Sequence, residues 1–131
     1  MQLVPPYSRC VQELVSRELA AGPTVDITTT GARSGQPRRI EIWMLDVDGD
    51  YFITGTPGRR HWFANLAADP RLTVHLKRIG CVDLSATSQP ISDQALRRRV
   101  FTHPSAGWYR TQSSLDRLVA TSPMVSVTFD V

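Results

Sequence analysis

The sequence is poor in lysine and cysteine and contains no long apolar segment. Lys77 is the single lysine among fifteen basic residues. The longest purely apolar runs are only a few residues, so no transmembrane helix and no stable membrane insertion are predicted. No charged, then apolar, then small-residue leader opens the chain, so we expect no secretory signal and a cytoplasmic location.

Motifs for metal binding and for common nucleophilic chemistry are also missing. Cys10 and Cys81 have neither CxxC nor metal-finger spacing, so we expect buried, reduced thiols. His61, His75 and His103 are scattered without HxH or HExxH spacing, which predicts no metal site. No GxSxG elbow, P-loop or GxGxxG turn is present, so hydrolase chemistry has little support.

The residues that are present suffice for one folded domain over 1–131. The chain is 41% hydrophobic and 21% charged, with a net charge of +3, and fourteen of its fifteen basic residues are arginine. Rich arginine usage can reflect a GC-rich genome. It can equally reflect a phosphate or carboxylate ligand, because the guanidinium fork binds such groups with two hydrogen bonds. Composition leaves both explanations open.

Hydrophobic spacing predicts an α+β chain. Apolar positions at helical spacing predict an N-terminal helix within 1–22, from Tyr7 to Ala21. The segment 25–88 alternates strands with two glycine-rich loops, and a short helix is predicted over His61–Ala68. The segment 92–131 is predicted to hold helices and a final strand. Tight turns between consecutive strands favour an antiparallel sheet, as a small barrel or a strongly curled sheet with helices outside.

One predicted strand, over 39–47, has a clear alternation and is expected to be half-buried. One face carries apolar residues, and the other carries charged residues and a tryptophan. The apolar face holds Ile40, Ile42 and Met44, and the other face holds Arg39, Glu41 and Trp43.

The two loops combine glycine with arginine. Backbone N–H groups at a helix start attract anions, and glycine lets a ligand approach closely. The loops flank one hairpin, so they could converge on a phosphate and an acidic group. The alternative is a pair of exposed turns with ordinary surface arginine. The first loop contains Arg33, Ser34, Gly35, Gln36 and Arg38, and the second contains Thr56, Gly58, Arg59 and Arg60.

Two further features have both a functional and a structural interpretation. Trp62 could lie against a flat aromatic ring while Asn65 hydrogen-bonds it, or both could serve only the core and a local cap. The run Arg97–Arg99 is expected to be a solvated helix face. A nucleic-acid module would need a basic stripe interleaved with exposed aromatic residues, so no nucleic-acid partner is predicted.

The segment 28–38, TTTGARSGQPR, resembles the TTxGRxSGxPR signature of deazaflavin (F420)-dependent nitroreductases. The segment 55–70, GTPGRRHWFANLAADP, is similar to the W-x-x-NLxAxP block of the same family. The joint occurrence of both blocks is more specific than either loop alone. The resemblance implies a split β-barrel of the FMN-binding type, related to the pyridoxamine-phosphate oxidases, and coenzyme F420 as the cofactor, with FMN as the alternative.

The resemblance also implies site residues. The first loop would hold the phosphate and acidic tail, the second would line the phosphate and the deazaflavin ring, and two helix residues would border the pocket. These cofactor-binding residues are Arg33, Ser34, Gly35, Gln36, Arg38, Gly55, Thr56, Pro57, Gly58, Arg59, Trp62 and Asn65.

The chain departs from the family at 40–43, at 56–58 and in the C-terminal substrate region, where only Tyr109 offers a tyrosine beside Trp108. These departures leave the choice between F420 and FMN open.

The function implied is a hydride transfer from reduced F420 to a small organic acceptor such as a quinone, an enone or a nitro compound. Thr56 or Tyr109 would act as the catalytic donor to developing negative charge on the acceptor. The alternatives are an FMN-dependent oxidoreductase and a flavin-, deazaflavin- or haem-binding protein without turnover. Split barrels of this kind often pair, so a homodimer is also expected.

Overall fold

The computed structural model describes the backbone of residues 6–130 and the side chains of residues 9–130. Seven strands and five helices follow one another along the chain, with one 3₁₀ turn at Pro104–Ala106. The elements are α1 (Pro6–Ala21), β1 (Thr24–Thr30), β2 (Pro37–Trp43), β3 (Leu45–Val47), β4 (Asp50–Thr54), α2 (His61–Ala68), β5 (Arg71–Leu76), β6 (Val82–Pro90), α3 (Gln94–Thr102), α4 (Gly107–Gln112), α5 (Leu115–Thr121) and β7 (Met124–Phe129).

All strands belong to one antiparallel sheet in the order β2-β1-β5-β6-β7-β4-β3. The sheet curls so strongly that β2, at one edge, approaches β4 near the other edge. Helices pack outside this curled sheet. The prediction of an α+β fold with a mostly antiparallel, barrel-like sheet is therefore confirmed.

Two apolar cores lie on opposite sides of the sheet. The inner core fills the barrel with residues such as Val25, Ile27 and Val74, together with Trp62 from α2. The outer core, which includes Phe101, lies between β3, β4 and β7 and the helices α3, α4 and α5. Among the described residues, no helix is long and apolar enough to cross a membrane.

Helix α1 is tied to the barrel by a buried carboxylate. Glu18 is fully buried, and its oxygens accept the backbone N–H groups of Lys77, Arg78 and Ile79 at 2.9–3.2 Å. These three donors form the turn between β5 and β6. A buried carboxylate is tolerated because several N–H groups satisfy its oxygens, so Glu18 anchors α1 at that turn.

The predicted strand over 39–47 is interrupted. Met44 leaves the ladder and donates its N–H to the carbonyl of Pro23 at 2.9 Å, which separates β2 from β3. Met44 is buried as predicted and Ile42 is partly buried, but Ile40 is 37% exposed. The expectation for Ile40 was wrong because β2 is an edge strand and none of the described residues covers this part of its inner face.

Two other expectations were also wrong. Cys10 and Cys81 are both exposed free cysteines, because they lie on the outer surface of α1 and in the β5–β6 turn. Arg97 is only 6% exposed, while its neighbours Arg98 and Arg99 are exposed. Arg97 lies on the inward side of α3, where backbone carbonyls accept all of its bonds.

Candidate functional site

The first loop, residues 31–36, is a compact turn between β1 and β2. Gly31 N–H donates to the Gln36 carbonyl at 2.8 Å, and Gly35 N–H donates to the Gly31 carbonyl at 2.9 Å. Ser34 Oγ accepts the Gln36 N–H at 3.1 Å and lies where a Cβ on residue 31 would have to be. A side chain at 31 would therefore displace the Ser34 hydroxyl from its bond to Gln36, and the Ser34 and Gln36 groups used here shape the loop itself.

Arg33 of the first loop and Arg38 at the start of β2 are cations without a carboxylate partner among the described side chains. Arg33 and Arg38 are exposed, and neither has a carboxylate within 4.0 Å among the side chains of residues 9–130. Arg38 pairs with Thr29 across the ladder, and Ile40 pairs with Ile27. Because directly opposite residues share a sheet face, Arg38 and Ile40 lie on the inner, core-facing side of β2.

The second loop, residues 55–60, is closed by its own arginine. Arg60 Nη2 donates to the Thr56 carbonyl at 3.1 Å and to Thr56 Oγ1 at 2.9 Å, while Nη1 donates to the Arg59 carbonyl at 3.1 Å. Gly58 has a φ of 135°, and a Cβ there would lie 2.9 Å from Arg60 Nη1. Arg60 thus holds the loop, while Arg59 is exposed and, among the described side chains, unpaired with any carboxylate.

Helix α2 starts directly after this loop and packs on β1. Trp62 is 6% exposed and belongs to the inner core. Asn65 is 8% exposed; its Oδ1 accepts the Ala32 N–H at 2.9 Å and its Nδ2 donates to Thr29 Oγ1 at 3.2 Å. The structure therefore brings the first loop to α2 and leaves the indole of Trp62 in the core.

We use the name anion-binding surface for the region of these elements whose side chains could bind an anion. Its floor is the uncovered inner face of β2 around Ile40, and α2 lies beside it over β1. Arg33, Arg38 and Arg59 supply cationic groups from the two loops that flank it. An exposed apolar side chain next to unpaired guanidinium groups suits a ligand with a flat apolar part and a negatively charged part.

The two predicted catalytic donors lie in different surroundings. Thr56 is in the second loop, where its hydroxyl oxygen accepts from Arg60 and its proton is free to donate. Tyr109 is 4% exposed in the outer core, in edge-to-face contact with Trp43 and Trp108 at centroid distances of 6.0 and 5.3 Å. No hydrogen bond or aromatic contact between described residues joins Tyr109 to either loop.

Burial raises the pKa of Tyr109 to about 12. Its hydroxyl is consequently a neutral donor at physiological pH. Trp108 beside it is 49% exposed and packs edge-on against Trp43 at 5.2 Å. This aromatic cluster, Trp43, Trp108 and Tyr109, is a set of steeply inclined rings at the end of β2 remote from the first loop.

Sequence reasoning missed the internal roles of Arg60 and Asn65, because their partners become visible only in the folded chain. It also missed the exposure of Ile40, although the family-like block ends only two residues earlier. A separate open groove of about 620 Å³ lies between α1, β4, β7 and α3, away from both loops. Among the described residues, no group of three His, Cys, Asp or Glu side chains could hold a metal ion.

Comparison with known families gives a match over nearly the whole chain. The model of the F420H(2)-dependent quinone reductase family matches residues 4–125. The deazaflavin part of the resemblance seen in the sequence is thereby confirmed, while the nitroreductase activity stays a prediction.

Solved structures with low sequence identity share the fold. An F420-H2 dependent reductase, FDR-A, is 23% identical, with a TM-score of 0.56 over 81% of this chain and 94% of that one. A protein of Clostridium acetobutylicum from the pyridoxinephosphate oxidase family is 14% identical, with a TM-score of 0.68 over 92% and 84%. The haem storage protein HutZ of Vibrio cholerae is 13% identical, with a TM-score of 0.66 over 91% and 89%. These similarities establish the split-barrel fold.

Proposed function

Because the chain belongs to the F420H2-dependent quinone reductase family, we propose that it reduces a quinone, or a related enone or nitro compound, with reduced coenzyme F420. When bound, the reduced deazaflavin supplies the hydride, and the protein supplies binding, orientation and electrostatics. The observation that carries the proposal is a set of three exposed arginines, Arg33, Arg38 and Arg59, which have no carboxylate partner among the described side chains.

The residues of the anion-binding surface fit this cofactor. Arg33 and Arg38 would hold the phosphate and acidic tail, because guanidinium groups bind such anions in a bidentate manner. The uncovered Ile40 offers an apolar contact for the ring system, and Arg59 adds a third cation. The remaining predicted contacts, including Ser34, Gly35, Gln36, Gly55, Pro57, Gly58 and Trp62, stay predictions.

The proposed donors act on the acceptor. Thr56 has a hydroxyl proton available at the surface, because Arg60 already occupies a lone pair of its oxygen. Tyr109 keeps its proton at working pH because burial raises its pKa to about 12. A neutral hydroxyl at Thr56 can stabilise negative charge that develops on a quinone or nitro oxygen, whereas the donor role of Tyr109, which is buried in the outer core, stays a prediction from the sequence.

Cofactor titration tests the proposal. We expect purified protein to bind reduced and oxidised F420 more tightly than FMN. The double variant Arg33→Ala/Arg38→Ala should bind F420 about 100-fold more weakly, because two charge-assisted interactions of about 1.5 kcal/mol or more are lost. The matched control, Arg9→Ala/Arg17→Ala, removes the same charge from exposed positions of α1 and should bind normally.

Three results would contradict the proposal. Absence of F420 binding at micromolar concentrations in the wild type would exclude F420 as the cofactor. Equal affinity in the two double variants would mean that the first loop is an ordinary turn. Tighter binding of FMN than of F420 would replace the deazaflavin with a flavin.

The second candidate function is ligand binding without turnover. The haem storage protein that shares the fold is the observation that favours this candidate. Reduced F420 bound to the protein and mixed with a quinone separates the two functions. Cofactor oxidation that depends on the quinone supports the reductase, and a bound cofactor that stays reduced supports the binding protein.

Two further expectations accompany the proposal. A homodimer and a cytoplasmic location stay predictions, and light scattering of the purified chain measures the first. Absence of nucleic-acid binding is expected because Arg97 is buried and Arg98 is paired with Asp116 at 3.0 Å. Steep salt-dependent binding to an oligonucleotide would contradict that expectation.

A further inference from the structure

The buried amide of Asn65 has partners within the protein at both ends. Its oxygen accepts the Ala32 N–H of the first loop, and its nitrogen donates to Thr29 of β1. We propose that Asn65 is a positioning residue, which fixes the first loop on α2 for cofactor binding instead of contacting the cofactor. The proposal rests on the proposed function and replaces the direct ring contact expected from the sequence.

Among the described residues, the Asn65 bond is the one hydrogen bond that joins the first loop to a helix. The other hydrogen bonds of this loop, between Gly31, Ser34, Gly35 and Gln36, stay within it. Among the described residues, the Ala32 N–H is the single loop N–H that bonds to a different element. The loop is otherwise exposed, so beyond the β1–β2 ladder that carries it this bond is its direct tie to α2.

Thr29 orients the side-chain amide of Asn65. Its side chain is 3% exposed and faces the barrel interior. By accepting from Nδ2, Thr29 Oγ1 fixes which end of the amide points to Ala32. A buried threonine under the helix cannot itself touch a cofactor that lies outside the loops, so it reports on positioning alone.

The same helix also holds the second loop. Arg60 precedes the first residue of α2 and bonds to Thr56 in that loop. Asn65 lies about one turn further along the helix, which places its contact to the first loop at a fixed distance from Arg60. The spacing between the two arginine-bearing loops is therefore set by α2, and a pre-formed spacing lowers the entropic cost of binding a ligand that spans both.

The decisive comparison is between Asn65→Leu and Thr29→Val. Asn65→Leu removes both hydrogen bonds at similar volume, whereas Thr29→Val removes only the orienting acceptor. Ala64→Ser changes an exposed neighbour on α2 and is the matched control. Thermal melts establish that each variant is folded before it is used.

The first measurement is amide hydrogen exchange at Ala32 in the cofactor-free protein. We expect the Ala32 N–H to be protected in the wild type and in Ala64→Ser. In Asn65→Leu it should exchange at least about 10-fold faster, because the loss of a buried partner is worth about 1–3 kcal/mol. Thr29→Val should increase the rate by a smaller factor. Unchanged exchange in Asn65→Leu would overturn the proposal.

The second measurement is the affinity for F420. We expect Asn65→Leu to weaken binding about 10-fold and Thr29→Val to weaken it in proportion to its effect on exchange. A different outcome would overturn the positioning role alone. In it, Thr29→Val exchanges faster at Ala32 but binds F420 normally, while Asn65→Leu does not bind F420. That combination would show that Asn65 contacts the cofactor directly. Failure of the wild type to bind F420 would overturn the proposed function and this role together, whatever the exchange data show.

Discussion

At the scale of single residues, the surroundings of Tyr109 determine its chemistry. Edge-to-face contacts with Trp43, Phe101 and Trp108 enclose its ring in the outer core. Desolvation disfavours the phenolate and raises the pKa of Tyr109 from 10.0 to about 12. The hydroxyl is therefore a neutral donor over the whole range in which an enzyme works, and turnover should show no titration of Tyr109 below pH 10.

The raised pKa of Tyr109 predicts a loss of stability in alkali. The folded pKa lies above the unfolded one, so its contribution is complete below pH 10 and is lost as the pH rises towards 12. Between pH 8 and pH 11 the wild type should lose about 1.4 kcal/mol through this group. Urea unfolding at both pH values measures the loss.

Tyr109→Phe separates this effect from other alkaline changes. Burial also raises the pKa of Tyr51, but Tyr51 is present in both proteins and contributes equally. The decrease from pH 8 to pH 11 should therefore be about 1.4 kcal/mol smaller in Tyr109→Phe. An equal decrease in the two proteins would mean that the Tyr109 hydroxyl is solvated.

At the scale of elements, Arg97 joins three segments of the outer core. Its Nε donates to the Val119 carbonyl at 2.6 Å, Nη1 donates to the Ile91 carbonyl at 2.8 Å, and Nη2 donates to the Ser122 carbonyl. Val119 and Ser122 lie at the C-terminal end of α5, where the helix dipole favours a cation. Burial lowers the pKa of Arg97. The three carbonyls stabilise its positive charge by accepting hydrogen bonds.

Arg97→Met should destabilise the fold by about 3 kcal/mol, because buried carbonyls lose their donors. Arg98→Met, the adjacent control, removes an exposed ion pair with Asp116 and should cost less than about 1 kcal/mol. Denaturant unfolding of the two variants measures the difference. Similar losses for both would contradict the buried role of Arg97.

The sequence predicted correctly those elements whose local residue pattern agrees with their burial in the fold. Helix α2 spans His61–Ala68 as predicted, and Asp93 caps α3 by accepting the Ala95 N–H. The inner face of β2 was misjudged because alternation identifies a face without revealing what covers it. The burial of Arg97 was not predicted, because the sequence does not show which of three adjacent arginines faces the protein interior.

The candidate site, too, was predictable only in part. Its two loops were predictable, because glycine and arginine cluster in short segments of the chain. The bond from Asn65 to Ala32 was not predictable, because it joins residues 33 positions apart through the curled sheet. Side chains that position a site depend on such long-range contacts, whereas the charged groups that face solvent are visible in the sequence itself.

At the scale of the whole molecule, the placement of charge matters more than its total. Six cations form ion pairs with carboxylates, including Arg39 and Lys77 with Asp26, whose pKa is lowered first by the Lys77 hydrogen bond. The arginines of the two loops have no such partner among the described side chains. Arg33, Arg38 and Arg59 therefore leave positive charge without a local carboxylate at the anion-binding surface, where it can attract an anion.

This field should accelerate the capture of an anionic cofactor. The association rate of F420 should fall on the order of 10-fold as ionic strength rises from low salt to 0.5 M, because salt screens charges beyond a few ångströms. Stopped-flow measurements would give this dependence. In Arg33→Ala/Arg38→Ala the slope should be clearly shallower, whereas Arg9→Ala/Arg17→Ala, with the same net charge, should keep most of it. Equal slopes in the two variants would mean that total charge, and not its position in the first loop, steers the cofactor.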